Sequence, residues 1–118
     1  DSSAVYVTKL RVDGFVGLKG GVEWGSVVTN PFQIVGPQLR INVDAWRGKV
    51  RVEVLDPLED RPLSGFAAED CLAVAVDNTD EKVRWKRSDD LGELMGRTVR
   101  LRFSLWQAEL YSYWFTPT

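Results

Sequence analysis

Strict alternation of apolar and polar residues near the end of the chain most constrains its fold. From 99 to 105 every odd-numbered residue is apolar, whereas Arg100, Arg102 and Ser104 occupy even positions. Residues 110–115 also alternate, with aromatic residues at the odd positions. Because successive side chains of a strand point to opposite faces, both stretches predict half-buried β-strands. The pattern indicates an all-β fold in which each strand has one side buried in the core and the other exposed to solvent.

We expect these two strands to pair as an antiparallel hairpin with a three-residue loop at 107–109. This register sets apolar residues against each other, for example Phe103 opposite Tyr113, whereas a slip by one residue would mix the faces. It also places Arg102 opposite Trp114, as an exposed cation–π pair.

A second hairpin is predicted from residues 39–45 and 50–54, which alternate in the same way. A two-residue turn at Arg47 and Gly48 would align their apolar positions. On the solvent-exposed face this turn would set Asp44 opposite Arg51. Such an exposed ion pair contributes more to fixing the strand register than to stability.

Shorter stretches predict further strands. These are residues 5–12, 15–18, 24–29, 72–76 and 83–86. Asn30 and Pro31 should interrupt the third, since proline cannot donate to a ladder, and residues 32–35 then continue it. Residues 56–65 and 77–80 are expected to be loops. Residues 88–96 predict one helical turn, with an acidic start and a glycine end.

About eight strands and one helical turn favour an antiparallel two-sheet β-sandwich, jelly-roll-like in its connections, over a simple meander. The length of 118 residues suits a single domain spanning residues 1–118. Four aromatic side chains are expected in its core: Trp85, Tyr111, Tyr113 and Phe115. Cys71 is interpreted as a small buried or half-buried thiol.

Composition narrows the possible functions. A net charge of −2 with interspersed signs argues against nucleic acid as a partner. No apolar run approaches the roughly 20 residues that span a bilayer, so no membrane partner is expected. The sequence has no histidine, which removes the commonest general base and metal ligand. Asp70, Asp77 and Asp80 lack the spacing of a known calcium loop, so no cofactor or metal is expected.

A series of short motifs, taken in order, points to a family. The motifs are residues 10–16, 29–32, 39–44, 50–56, 65–66, 70–71, 83–86, 90–91, 94, 96–97, 99–103 and 110–112. Their order resembles the C-terminal β-sandwich module of bacterial glycoside-hydrolase-like five-bladed propeller proteins, of the sucrose-cleaving and arabinanase-like type. The resemblance spans residues 10–115.

In that family the catalytic carboxylates lie on the propeller, so the resemblance implies a noncatalytic accessory module of a larger carbohydrate-active protein. It further implies a glycan or a neighbouring propeller domain as the partner, and a secreted or periplasmic location. Neighbouring acidic residues such as Glu59 and Asp60 also make a poor catalytic pair, because adjacent side chains of a strand point apart. Asp89 and Asp90 fit instead the start of the predicted helical turn.

Sugar binding needs flat aromatic faces together with planar polar groups for hydroxyls. The candidate ligand-binding residues are Trp46, Trp106, Arg40, Asn42, Asp44, Arg100 and Arg102. The two tryptophans also fit covers over hairpin ends, which general experience favours, or a docking surface for another domain. The alternative function is therefore a structural or protein-interaction sandwich, of the domain-docking, cell-surface or capsid type.

Overall fold

The computed structural model describes residues 24–117. Seven strands and two single-turn 3₁₀ helices form two antiparallel sheets in this part of the chain. The strands are β1 (Gly25–Val28), β2 (Phe32–Gln33), β3 (Gln38–Asp44), β4 (Lys49–Leu55), β5 (Asp77–Lys82), β6 (Thr98–Trp106) and β7 (Glu109–Thr116). The prediction of an all-β, two-sheet sandwich is confirmed. The strands predicted at 5–12 and 15–18 lie outside the described residues.

The two sheets are built around different central strands. In the first, β6 pairs with β4 on one side and with β1 and β2 on the other. In the second, the order is β5-β3-β7. We call them the β6 sheet and the β3 sheet.

Both predicted hairpins are wrong, because each pair of successive strands is divided between the sheets. β3 pairs with β5 and β7, while β4 pairs with β6. Arg102 therefore lies opposite Glu53 and not Trp114, and Asp44 does not face Arg51. Alternation indicates which side of a strand is buried. It does not indicate whether two such strands are neighbours in one sheet or face each other across the core from two sheets. Here the chain turns across the core, and Ala45 is buried within the turn.

The predicted facing of these strands is confirmed. Inward side chains of β3, β4 and β6 form one buried cluster between the sheets. They are Leu39, Ile41, Val43, Val50, Val52, Val54, Val99, Leu101, Phe103 and Leu105. The apolar sides that were expected to line up within hairpins thus pack against each other across the sandwich.

Strand β7 changes its facing partway along. Tyr113 and Phe115 pack against the core as predicted, but Leu110 is buried in place of Tyr111. The cause is a β-bulge: Ser112 lies opposite Asn42, and Leu110 lies opposite the very next residue of β3. One extra residue on β7 reverses the alternation. The prediction of Tyr111 as a core residue is therefore wrong.

The segment between β4 and β6 departs most from expectation. Residues 72–76 form only an isolated bridge, at Val74, whereas residues 77–80, predicted as a loop, begin strand β5. Strand β5 is polar throughout, so it lacks the apolar alternation by which the other strands were recognised. Val83 and Trp85 are buried, as predicted for Trp85, but only Trp85 forms a bridge.

The remaining predicted features are found. Strand β1 ends before Asn30 and Pro31, and β2 follows them. The turn predicted at 88–96 is a 3₁₀ helix at Gly92–Leu94, where the amide of Gly92 donates to Asp90 Oδ1 over 2.8 Å. No helix within residues 24–117 has the length and apolar character needed to cross a membrane.

Candidate ligand-binding face

The seven candidate residues do not lie on one surface. Arg40, Asn42 and Asp44 alternate with buried residues of β3 and therefore lie on the outer side of the β3 sheet. Arg100 and Arg102 lie on the outer side of the β6 sheet. In a sandwich these outer sides face in opposite directions, so one ligand cannot contact both groups at once.

Trp46 and Trp106 lie at one end of the sandwich. Trp46 is 72% exposed in the β3–β4 connection, and Trp106 ends β6. The two sheet-crossing connections touch there, since a Cβ atom built on Gly48 would be 1.8 Å from the carbonyl oxygen of Trp106. The two tryptophans thus share one end of the sandwich, with Trp46 in the connection and Trp106 at the last outward position of β6.

The two arginines of β6 are engaged in ion pairs. The Arg102 guanidinium is 3.0 Å from Glu53 Oε1, and Glu53 is only 7% exposed. Arg100 lies 3.8 Å from Asp60, a residue of the connection that follows β4. These contacts tie β6 to β4 and to its neighbouring loop, so both arginines have a structural role on this side.

The β3 side differs because aromatic residues of β7 lie along it. The register sets Trp114 directly beside Arg40 and Ser112 beside Asn42. Asp44 lies beside Glu109 in the same register. A row of polar β3 side chains therefore runs along a β7 row that carries an indole ring.

Tyr111 joins this row through the bulge. Its hydroxyl donates to Glu109 Oε1 over 3.3 Å, and Glu109 is the neighbour of Asp44. Partial desolvation raises the pKa of Tyr111, and the charges of Glu109, Asp44 and Asp77 raise it further. The tyrosine is thus placed among carboxylates on the outer side of the sheet.

Arg40 is held in place on the same side. Its Nε contacts the carboxylate of Asp80 on β5, and a terminal nitrogen donates to Gln38 Oε1 over 2.9 Å. A second terminal nitrogen reaches the Asp80 carbonyl at 3.3 Å. These bonds hold the guanidinium toward β5, with 23% of the Arg40 side chain exposed. We call Arg40, Asn42, Asp44, Glu109, Tyr111, Ser112 and Trp114 the β3 face.

Alternation in the sequence correctly predicts that the three β3 residues of this face point outward, but the predicted ligand-binding residues do not include Trp114 or Tyr111. Alternation predicts that Trp114 points outward. The predicted hairpin places it beside Arg102, whereas in the structure its neighbour is Arg40. Tyr111 could not be found this way, since nothing in the sequence pattern marks the bulge.

Within residues 24–117, no group of three or more cysteine, aspartate or glutamate side chains gathers in a way that could hold a metal ion. Cys71 is buried, and desolvation raises the pKa of its thiol to about 11. Its sulfur accepts the amide hydrogen of Val52 at 3.3 Å. The neutral thiol is therefore a structural group and a poor nucleophile.

Comparisons of the chain with protein families, with curated proteins and with solved structures found no match.

Proposed function

We propose that this domain is a noncatalytic accessory module of a carbohydrate-active enzyme and that it binds a glycan on the β3 face. The observation that carries the proposal is the β3–β7 register, which sets Trp114 beside Arg40 and Ser112 beside Asn42. The resemblance to propeller-associated sandwich modules supports the same function.

The chemistry of the face suits sugars. Aromatic rings such as that of Trp114 can cover the apolar side of a pyranose, and amide, carboxylate and guanidinium groups can hydrogen-bond its hydroxyls. The fixed guanidinium of Arg40 reduces the side-chain entropy that binding would otherwise cost. Two stacking contacts and a few hydrogen bonds give about −4 to −6 kcal/mol, hence a dissociation constant from millimolar to tens of micromolar.

Calorimetric titration with a panel of soluble oligosaccharides tests this function. The variant Trp114→Ala is expected to lose binding, whereas Trp46→Ala, its matched control outside the face, keeps it. Loss of binding in Trp46→Ala with Trp114→Ala unaffected would move the site to the end of the sandwich. Binding of no oligosaccharide by the unmodified domain would contradict the proposal.

The noncatalytic part has its own test. Catalysis is disfavoured because the sequence has no histidine. We expect no turnover of aryl glycosides. Turnover that is abolished by substitution of one acidic residue would overturn this part alone.

The exposed Trp46 favours a second candidate, a docking module. Large exposed aromatic side chains mark interfaces as readily as ligand sites. In that case Trp46→Ala would abolish co-elution with a five-bladed propeller domain in size-exclusion chromatography. Trp114→Ala would leave the co-elution unchanged.

A further inference from the structure

The two aromatic residues of the β3 face lie in line along β7. Trp114 lies at the level of Arg40, and the bulge places Tyr111 between the levels of Asn42 and Val43. The separation is therefore close to two and a half residue positions on β3. At about 3.3 Å per residue this corresponds to about 8 Å along the strand.

Such a spacing restricts the shape of a glycan that can contact both rings. In an extended β-1,4-linked chain, alternate sugars turn the same side toward a flat surface, so two long aromatic side chains at this separation can each cover one of them. An α-1,4-linked chain coils, so it would leave a flat surface after one contact. Between the two levels, Asn42 and Ser112 lie side by side with an amide and a hydroxyl group.

The charges of the face restrict the ligand further. Asp44 and Glu109 are neighbours in the register, and Asp77 is paired with Asp44 on the other side. The carboxylate of Asp80 contacts Arg40, the cation on this part of β3. The Tyr111 end of the face is therefore negative, and a polyanionic chain of uronic acids would be repelled.

We infer that the β3 face binds an extended, neutral β-1,4-linked glycan lying along β7, with alternate sugars on Trp114 and Tyr111. This inference rests on the proposed function and names the ligand class of the same site.

Calorimetric titration with cello-oligosaccharides of two to five sugars tests it. Three sugars are the shortest length that reaches both rings, so the affinity should rise about tenfold from disaccharide to trisaccharide, which corresponds to about 1.4 kcal/mol. Trp114→Ala and Tyr111→Ala should each remove this step. Tyr111→Phe, which keeps the ring and loses the bond to Glu109, should retain it.

Maltotriose and trigalacturonate serve as comparison ligands. Equal affinity for either, or no increase with length, would overturn the ligand class while leaving a glycan-binding face in place. Binding of no oligosaccharide at all would contradict the proposed function itself, so the two failures are distinguishable.

Discussion

At the scale of single residues, Val52 shows how this fold covers the edge of β4 that has no neighbouring strand. Its amide and carbonyl point away from β6, where a further strand could pair. Cys71 Sγ accepts from the amide at 3.3 Å, and Trp85 Nε1 donates to the carbonyl at 3.0 Å. Two buried side chains thus take the place of a strand's backbone, and an unpaired buried polar group is avoided.

Trp85→Phe should destabilise the domain. The change removes the indole N–H and leaves the Val52 carbonyl buried without its donor, which costs about 1–3 kcal/mol. Urea unfolding followed by circular dichroism measures the loss. The control is Trp46→Phe, an exposed position where we expect a change within about 0.5 kcal/mol. Equal effects at both positions would argue against a role for this hydrogen bond.

Cys71 makes stability depend on pH in the alkaline range. Desolvation raises the pKa of the thiol from 9.0 to about 11 in the folded state. Between these values the folded protein holds a proton that the unfolded chain has released, so stability falls as pH rises. Below pH 9 the full contribution is present.

Comparison of the unmodified domain with Cys71→Ala isolates this effect. From pH 9 to 11 the unmodified domain should lose about 1–3 kcal/mol more than the variant. If the free energy of unfolding falls equally with pH in both proteins, the thiol is not the cause of the fall.

At the scale of elements, the two sheet-crossing connections explain why facing could be predicted and pairing could not. Alternation in residues 39–45 and 99–105 correctly identified the buried sides. Which strands become neighbours depends on whether the chain turns back within a sheet or crosses to the other one. That choice depends on contacts distant in sequence, such as Gly48 against Trp106. The alternation of β7 failed at Tyr111 because one bulge residue reverses it.

Gly48→Ala tests the contact between these connections. The added Cβ would lie 1.8 Å from the Trp106 carbonyl oxygen and 2.4 Å from that of Gln107, both backbone atoms. One connection must shift, at an expected cost above about 3 kcal/mol. Chemical denaturation gives the value.

Gly65→Ala is the matched comparison. Gly65 has a φ of +86° and open space around it, so an alanine there costs only about 1–2 kcal/mol of backbone strain. An effect at Gly48 no larger than that at Gly65 would contradict the close packing.

At the scale of the whole molecule, the assignment of strands to the two sheets distributes the charged side chains unevenly over the surface. The β3 side has the carboxylates of Asp44, Asp77 and Glu109 at one end and Arg40 toward the other, whereas Arg100 and Arg102 on the opposite side are each paired with an acidic residue. The sequence showed only a net charge of −2 with interspersed signs. This polarity arises only when the strands are assigned to sheets, so it could not be read from composition.

Folding kinetics should reflect the same strand order. Within residues 24–117, no strand pairs with the next one along the chain, and β1 meets β6 across more than seventy positions. Because loops must close before such contacts form, we expect refolding in milliseconds to seconds and not in microseconds. Stopped-flow refolding monitored by tryptophan fluorescence measures the rate, and a microsecond phase that accounts for the full signal would contradict the expectation.

The central position of β6 also matters while the chain is being made. During synthesis β1, β2 and β4 emerge from the ribosome well before their shared partner at Thr98–Trp106. Until β6 is synthesised, the other strands of the β6 sheet have no partner, and their apolar side chains are accessible to chaperones and proteases. A stalled or truncated translation product that stops before this strand would be a target for quality control and not a smaller working domain.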